Sequence, residues 1–190
     1  MHYALRTTAA SAVLAWLSVT SMETVQSQAE SSGTQQKPTA RATAELKSQQ
    51  GQTIGRARLT ETPNGVGLMI VVDVDRAQSG AHAFHIHETG RCDAPTFESA
   101  GDHFNPTRAQ HGFMDVKGPH RGDLPNIHVP SDGRLSFEYL ADGVTLTGKE
   151  SPLLDADGAA LVMHAKPDDY RTDPAGNAAE RIACGIIQKQ

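Results

Sequence analysis

Cysteine, basic charge and long apolar runs are all scarce in this 190-residue sequence, and each scarcity excludes something. Two Cys cannot make a disulfide-dense scaffold, and a chain of this length can bury enough core to do without one. Lys plus Arg number 17 against 22 Asp plus Glu, for a formal net charge of -5. That balance argues against a sequence-independent nucleic-acid binder, which needs a basic face. No apolar run approaches the roughly 20 residues of a membrane-spanning helix. No segment carries a long helical period. With 21% charged and 38% apolar residues, the composition is that of an ordinary globular protein. The length fits one domain of about 150 residues with something appended. One residue type is plentiful. There are nine His, and most fall in one part of the chain.

Residues 1–29 read as a secretory signal. Arg6 lies near the start, an apolar stretch runs from Ala9 to Val19, and Ser27 and Ala29 are the small residues that a signal peptidase inspects. Cleavage after Ala29 removes Arg6 and Glu23 together, so the net charge is unchanged. No Cys follows the apolar stretch, which argues against a lipid anchor. Residues 30–40 are polar and low in complexity and read as a flexible linker, leaving 41–190 as the folded domain. In an exported chain, two Cys are most simply one disulfide, Cys92 to Cys184. Closing a loop of that length stabilises by about 4 to 5 kcal/mol on the chain-entropy account.

From Ala42 onward the apolar residues alternate: Leu46, Ile54, Ala57 and Leu59, then Val66, Leu68, Ile70, Val72 and Val74, with Pro63-Asn64-Gly65 as a turn. Further strands are expected at 81–87, 126–130, 134–140, 159–164 and near 182–188. Asp132-Gly133, Asp142-Gly143 and Asp157-Gly158 punctuate them. Residues 88–125 and 165–181 do not alternate and are rich in Gly, Pro, Asp, Asn and Arg. Loops this long in a compact domain usually carry function. The expected fold is all-β, a sandwich or flattened barrel with two large ordered loops.

His85 and His87 flank Ile86 in a strand, so their imidazoles emerge on one face while Phe84 and Ile86 face the core. The following loop holds His103, His111, His120 and Asp123, the four ligands that a tetrahedral zinc site needs, with no thiolate among them. His164 closes a later strand. His85, His87 and His164 are then three nitrogen donors left over, and imidazoles without a carboxylate suit Cu(II). A loop His bridging two metals would complete both sites. Such a bridge must lose both ring protons, which two adjacent cations make feasible. His82 and His128 read as packing or surface residues.

These motifs together resemble the copper,zinc superoxide dismutase family, in particular its bacterial exported branch, over about residues 42–188. The resemblance is carried by Phe84-His85-Ile86-His87-Glu88-Thr89-Gly90-Arg91-Cys92, by Ser99-Ala100-Gly101-Asp102-His103-Phe104-Asn105-Pro106 and by His111-Gly112. It is carried further by His120-Arg121-Gly122-Asp123-Leu124-Pro125-Asn126, by His164-Ala165-Lys166-Pro167-Asp168-Asp169-Tyr170 and by Gly176 to Gly185. The resemblance implies a Greek-key, eight-stranded flattened barrel with a metal-binding loop and an electrostatic loop. It implies copper on His85, His87, His103 and His164, and zinc on His103, His111, His120 and Asp123, with His103 as the bridge and one ion of each per subunit. Asp168 is then the carboxylate that orients one ligand of each metal, Arg181 receives the anion beside copper, and Cys92–Cys184 is the family disulfide.

The implied activity is dismutation of superoxide to oxygen and hydrogen peroxide by copper cycling between Cu(II) and Cu(I). His103 carries a proton when it leaves copper. The implied role is antioxidant defence in the periplasm, with superoxide as partner, no nucleic acid, no membrane anchor, and a monomer or homodimer. Lys166, Arg171 and Arg108 are candidate steering charges. Two departures bear on steering. Ala179-Glu180 stands where relatives carry a small Gly-containing pair, and no Lys or Arg lies between Cys92 and His103. Two competing readings are a copper and zinc carrier on the same scaffold and a zinc hydrolase, which would want an open zinc position.

Overall fold

Alternating apolar and polar side chains make strands when one face can be buried and the other solvated. The computed structural model describes residues 39–65, 67–150 and 152–190. The expected signal segment, nearly all of the expected linker and Val66 lie outside these residues. β1 (Arg41–Ser48), β2 (Thr53–Glu61) and β3 (Gly67–Val74) form an antiparallel meander. Their inward residues Leu46, Ala57, Leu59, Leu68, Ile70 and Val72 are fully buried. β4 (Gly80–His82) and β5 (Phe84–His87) follow, then β6 (Ile127–Val129), β7 (Leu135–Asp142), β8 (Ala160–His164), β9 (Arg181–Ile186) and β10 (Gln188–Lys189).

Hydrogen-bonded neighbours run β5-β8-β9-β1-β2-β3-β7, with β10 also on β1 and β4 paired to β6. The connections from β3 to β4 and from β7 to β8 cross between strands that are not neighbours, which is Greek-key topology. The strand expected at 81–87 is divided at Ala83. Its N–H donates to the Lys166 carbonyl (2.8 Å) and its carbonyl accepts from the His164 N–H (2.9 Å). The last strand is divided at Ile187, whose N–H turns to Ala159 (2.9 Å). Counting each divided strand once gives eight strands among the described residues, those of the flattened barrel. A three-residue 3-10 turn at Glu98–Ala100, too short to leave a period in the sequence, breaks the first long loop.

Two backbone bonds seat the first loop on β5 and a third joins the loop to itself. The Ile86 N–H donates to Gly122 (2.8 Å), the Gly122 N–H to Phe104 (2.8 Å) and the Phe104 N–H to Ile86 (2.9 Å). A side chain at Gly122 would place its Cβ 2.2 Å from the Ile86 carbonyl oxygen, so only glycine fits. This close contact brings residues 103 and 123 against the backbone of β5. The loop is tied a second time by the Cys92–Cys184 disulfide, with Cα atoms 5.7 Å apart. Around it Phe97, Ala100, Ala160, Val162 and Cys184 form a small core of their own.

The paired substitution Cys92→Ser with Cys184→Ser should lower unfolding free energy by about 2 to 5 kcal/mol. Denaturant unfolding of the metal-free chain reads it, and an unchanged midpoint would show that the loop holds without its covalent tie.

Candidate metal centre

β5 delivers His85 and His87 to the side opposite Phe84 and Ile86, which sit in the main core. All four are fully buried. The loop pairing just described sets His103 and Asp123 beside them. β8 ends in His164, where the β8–β9 ladder shifts register. Met163 faces Ala183, whereas His164 faces Arg181, so Ile182 is the extra residue of a bulge. Bulges re-aim side chains, and this one sets Arg181 beside His164 at the mouth of the site.

The six His and Asp123 form two groups that share His103. His85, His87, His103 and His164 make one, and His103, His111, His120 and Asp123 the other, with candidate ligand atoms in each within 4.8 Å of one another. All seven residues are buried. Each ring has one nitrogen free: Nδ1 of His85, His111 and His120, and Nε2 of His87, His103 and His164 have no hydrogen-bond partner.

The other nitrogens explain why. His87 Nδ1–H donates to the Gly101 carbonyl (2.9 Å) and His164 Nδ1–H to the Ala179 carbonyl (3.2 Å). A carbonyl only accepts, so in each neutral ring the free nitrogen carries a lone pair aimed inward. Asp168 takes His85 Nε2–H at 3.0 Å on one oxygen and His111 Nε2–H at 3.0 Å on the other, one ring from each group. Asp168 is held in turn by Asn126, which accepts from its N–H (2.7 Å) and donates to its carbonyl (2.9 Å). Buried nitrogens left unpaired each cost about 1 to 3 kcal/mol. Six of them converging on two points fit two cations.

For three of the rings the electrostatics agree with that reading. Burial, then the neighbouring His85 ring, pushes His164 down to about 3. Burial pulls His103 down to about 4 against its bond to Asp123. Burial and the charges of His103 and Arg181 hold His87 well below the usual range. These rings stay unprotonated and able to bind metal. Burial opposes charge on His111 too, but the Asp123 and Asp168 carboxylates on its two sides outweigh it and raise it to about 9, so without a metal this ring favours its protonated form. Burial likewise works against ionising Asp123 and Asp168, and their His partners hold both well below the carboxylate range.

Arg181 is half-buried. Its Nη1 donates to the Phe97 carbonyl (2.7 Å) and its Nη2 to the Gly101 carbonyl (2.8 Å). Gly101 thus accepts from a ring of the first group and from the guanidinium at once. At φ 75 and ψ -156 it occupies a backbone region open only to glycine. A cavity of about 450 Å³ opens over the site, lined by His87, His103, His164, Arg181 and acidic neighbours. Lys166, Arg171 and Arg108 do not line it. His82, read as bland, is buried with its ring nitrogens on the carbonyls of His164 (2.8 Å) and Gln78 (2.9 Å), so it braces the end of β8. His128 is exposed. Neither the Gly101 nor the Ala179 carbonyl was assigned a role from sequence, since any residue supplies a carbonyl. The one available signal was the unusual backbone that Gly101 requires.

Comparison with known proteins places this geometry. The sequence profile of copper/zinc superoxide dismutase matches residues 53–187. A Cu-Zn superoxide dismutase of Aquifex aeolicus is 46% identical over 147 residues, covering 76% of this chain and 86% of that protein. One from Caulobacter vibrioides is 40% identical over 150 residues, covering 77% and 85%. The crystal structure of a superoxide dismutase-like protein from Bacillus subtilis superimposes with a TM-score of 0.73 at 38% identity, covering 76% of this chain and 96% of that one. The barrel, the two His groups and the disulfide are thus found together with sequence likeness across the domain, and the chain belongs to the copper/zinc superoxide dismutase family, enzymes that dismute superoxide with copper and zinc.

Proposed function

We propose that His85 Nδ1 and the Nε2 atoms of His87, His103 and His164 hold copper. Zinc would be held by His103, His111 and His120 together with Asp123. The observation that supports this division is the set of six buried, unpartnered ring nitrogens and how they fall. Four imidazoles without a carboxylate suit Cu(II). Three imidazoles and a carboxylate suit a closed tetrahedral zinc. When bound, copper supplies one-electron chemistry, oxidising one superoxide and reducing the next, while zinc is redox-silent.

Two superoxide anions and two protons become oxygen and hydrogen peroxide, so the chain must admit an anion and supply protons. Arg181 lines the cavity as a fixed positive charge, two of its five N–H groups being held by carbonyls. His103 can hold a proton at Nε2, facing the cavity, while Nδ1 stays turned to Asp123 (2.9 Å). Asp168 fixes the tautomers of His85 and His111 and so couples the two groups mechanically.

The proposal includes export to the periplasm, with residues 1–29 as signal, 30–40 as linker and 41–190 as the enzyme domain. What supports it is the disulfide, a feature of oxidising compartments. No helix among the described residues is long and apolar enough to cross a membrane. Superoxide is the substrate. The reading requires neither nucleic acid nor a membrane anchor, and it holds for a monomer or a homodimer.

Superoxide consumption by the chain loaded with copper and zinc should far outrun spontaneous decay and collapse in His87→Ala. A loaded chain that leaves superoxide at its spontaneous rate would sink the reading. Asp168→Asn keeps shape but can accept from only one of its two rings. It should weaken binding of both metals by roughly 10- to 100-fold in chelator competition. Unchanged affinity at both would remove Asp168 from the account.

A further inference from the structure

The cavity over the site is lined by one guanidinium and three carboxylates, Glu88, Asp102 and Asp173. Asp173 is engaged, accepting from the His111 N–H (2.8 Å) and lying 3.9 Å from His120 Nε2. Glu88 and Asp102 are exposed, and among the described residues neither is in an ion pair. Glu88 accepts a single backbone bond, from the Asp102 N–H (3.3 Å). No Lys or Arg lies between Cys92 and His103 to offset them. Glu98 adds a further negative charge close enough to act on Arg181, as does Asp102. Arg181 itself is half-buried, with Nη1 and Nη2 turned to carbonyls. An arriving ion therefore meets the rim before it meets the guanidinium. Charge at the rim governs encounter, and charge at the floor governs the last few ångströms.

Beneath the rim lie three ring nitrogens that lack any partner, on His87, His103 and His164, with residue exposures of 0%, 5% and 3%. We propose that Glu88 and Asp102 make this mouth favour cations and retard anions. They draw the metal ion toward those nitrogens during loading and slow the later entry of superoxide. The inference rests on the copper assignment above. It makes the two carboxylates a compromise between acquiring the metal and using it.

The test is the isosteric pair Glu88→Gln with Asp102→Asn, measured two ways. In the first, the metal-free chain is mixed with Cu(II) and uptake is followed by stopped flow. In the second, wild type and variant carrying equal copper and zinc are given superoxide. At low ionic strength the variant should take up Cu(II) on the order of threefold more slowly and consume superoxide on the order of threefold faster. Both differences should vanish near 1 M salt, where the Debye length is about 3 Å. The wild-type superoxide rate should be flat or rise with salt.

A variant no faster toward superoxide, or a wild-type rate that falls steeply with salt, would overturn the proposal. Glu98→Gln, which adjoins no ligand in sequence, should shift the superoxide rate in the same direction by less. This separates charge from any disturbance of His87 or His103. Failure of the copper assignment looks different: loaded wild type would leave superoxide untouched. Cu(II) uptake would then still read the rim, and equal uptake by wild type and variant would overturn it.

Discussion

Six imidazoles packed into one buried site, each with a ring nitrogen that finds no hydrogen-bond partner, are the constraint on which the rest of this structure depends. Such an arrangement is unfavourable without cations, because desolvated nitrogens lose water and gain nothing in exchange. Every surrounding feature keeps the rings from escaping it. Carbonyls of Gly101 and Ala179 and the carboxylate of Asp168 occupy the outward nitrogen of four rings, which leaves the inward nitrogen without a partner. The barrel supplies two of the rings from β5 and one from the end of β8, on elements whose opposite faces are locked in the core. The loop supplies the others and is held by the close backbone approach at Gly122 and by the disulfide.

Arg181 and the first His group are linked through the Gly101 carbonyl. It accepts from His87 and from Arg181, so the ring and the guanidinium share one anchor within the disulfide-bound loop. The register shift at Ile182 does the complementary work from the barrel side, since it sets Arg181 opposite His164. The cavity is therefore shaped by two long loops meeting over a rigid floor, and its charge depends on a few side chains at the rim.

Much of this was legible in the sequence because it rests on short periods. The alternation through Leu68, Ile70, Val72 and Val74 marks β3, and His85-Ile86-His87 can put two rings together only in a strand. The crowding of His103, His111, His120 and Asp123 on one non-alternating segment pointed to a wrapped ion. The division of a strand at Ala83 was not legible, because it comes from bonds to Lys166 and His164 some 80 residues away in sequence. The support from Gly101, Ala179 and Asn126 was hidden for a related reason. Two act through backbone carbonyls, and Asn126 acts on a residue in the other loop. The role of His82 beneath His164 appears only when β4 and the end of β8 are seen together.

The claim that carries the account is that His103 stands between two metals and faces both. Its most direct test is electron paramagnetic resonance of the chain holding Cu(II) in the four-His group and paramagnetic Co(II) in the group with Asp123. Shared ligation through one imidazole couples the two spins, and the account predicts that the ordinary Cu(II) signal is lost when Co(II) is added and returns when Zn(II) replaces it. A Cu(II) signal that is the same with cobalt and with zinc would mean that the ions are not joined through His103, and would contradict the account.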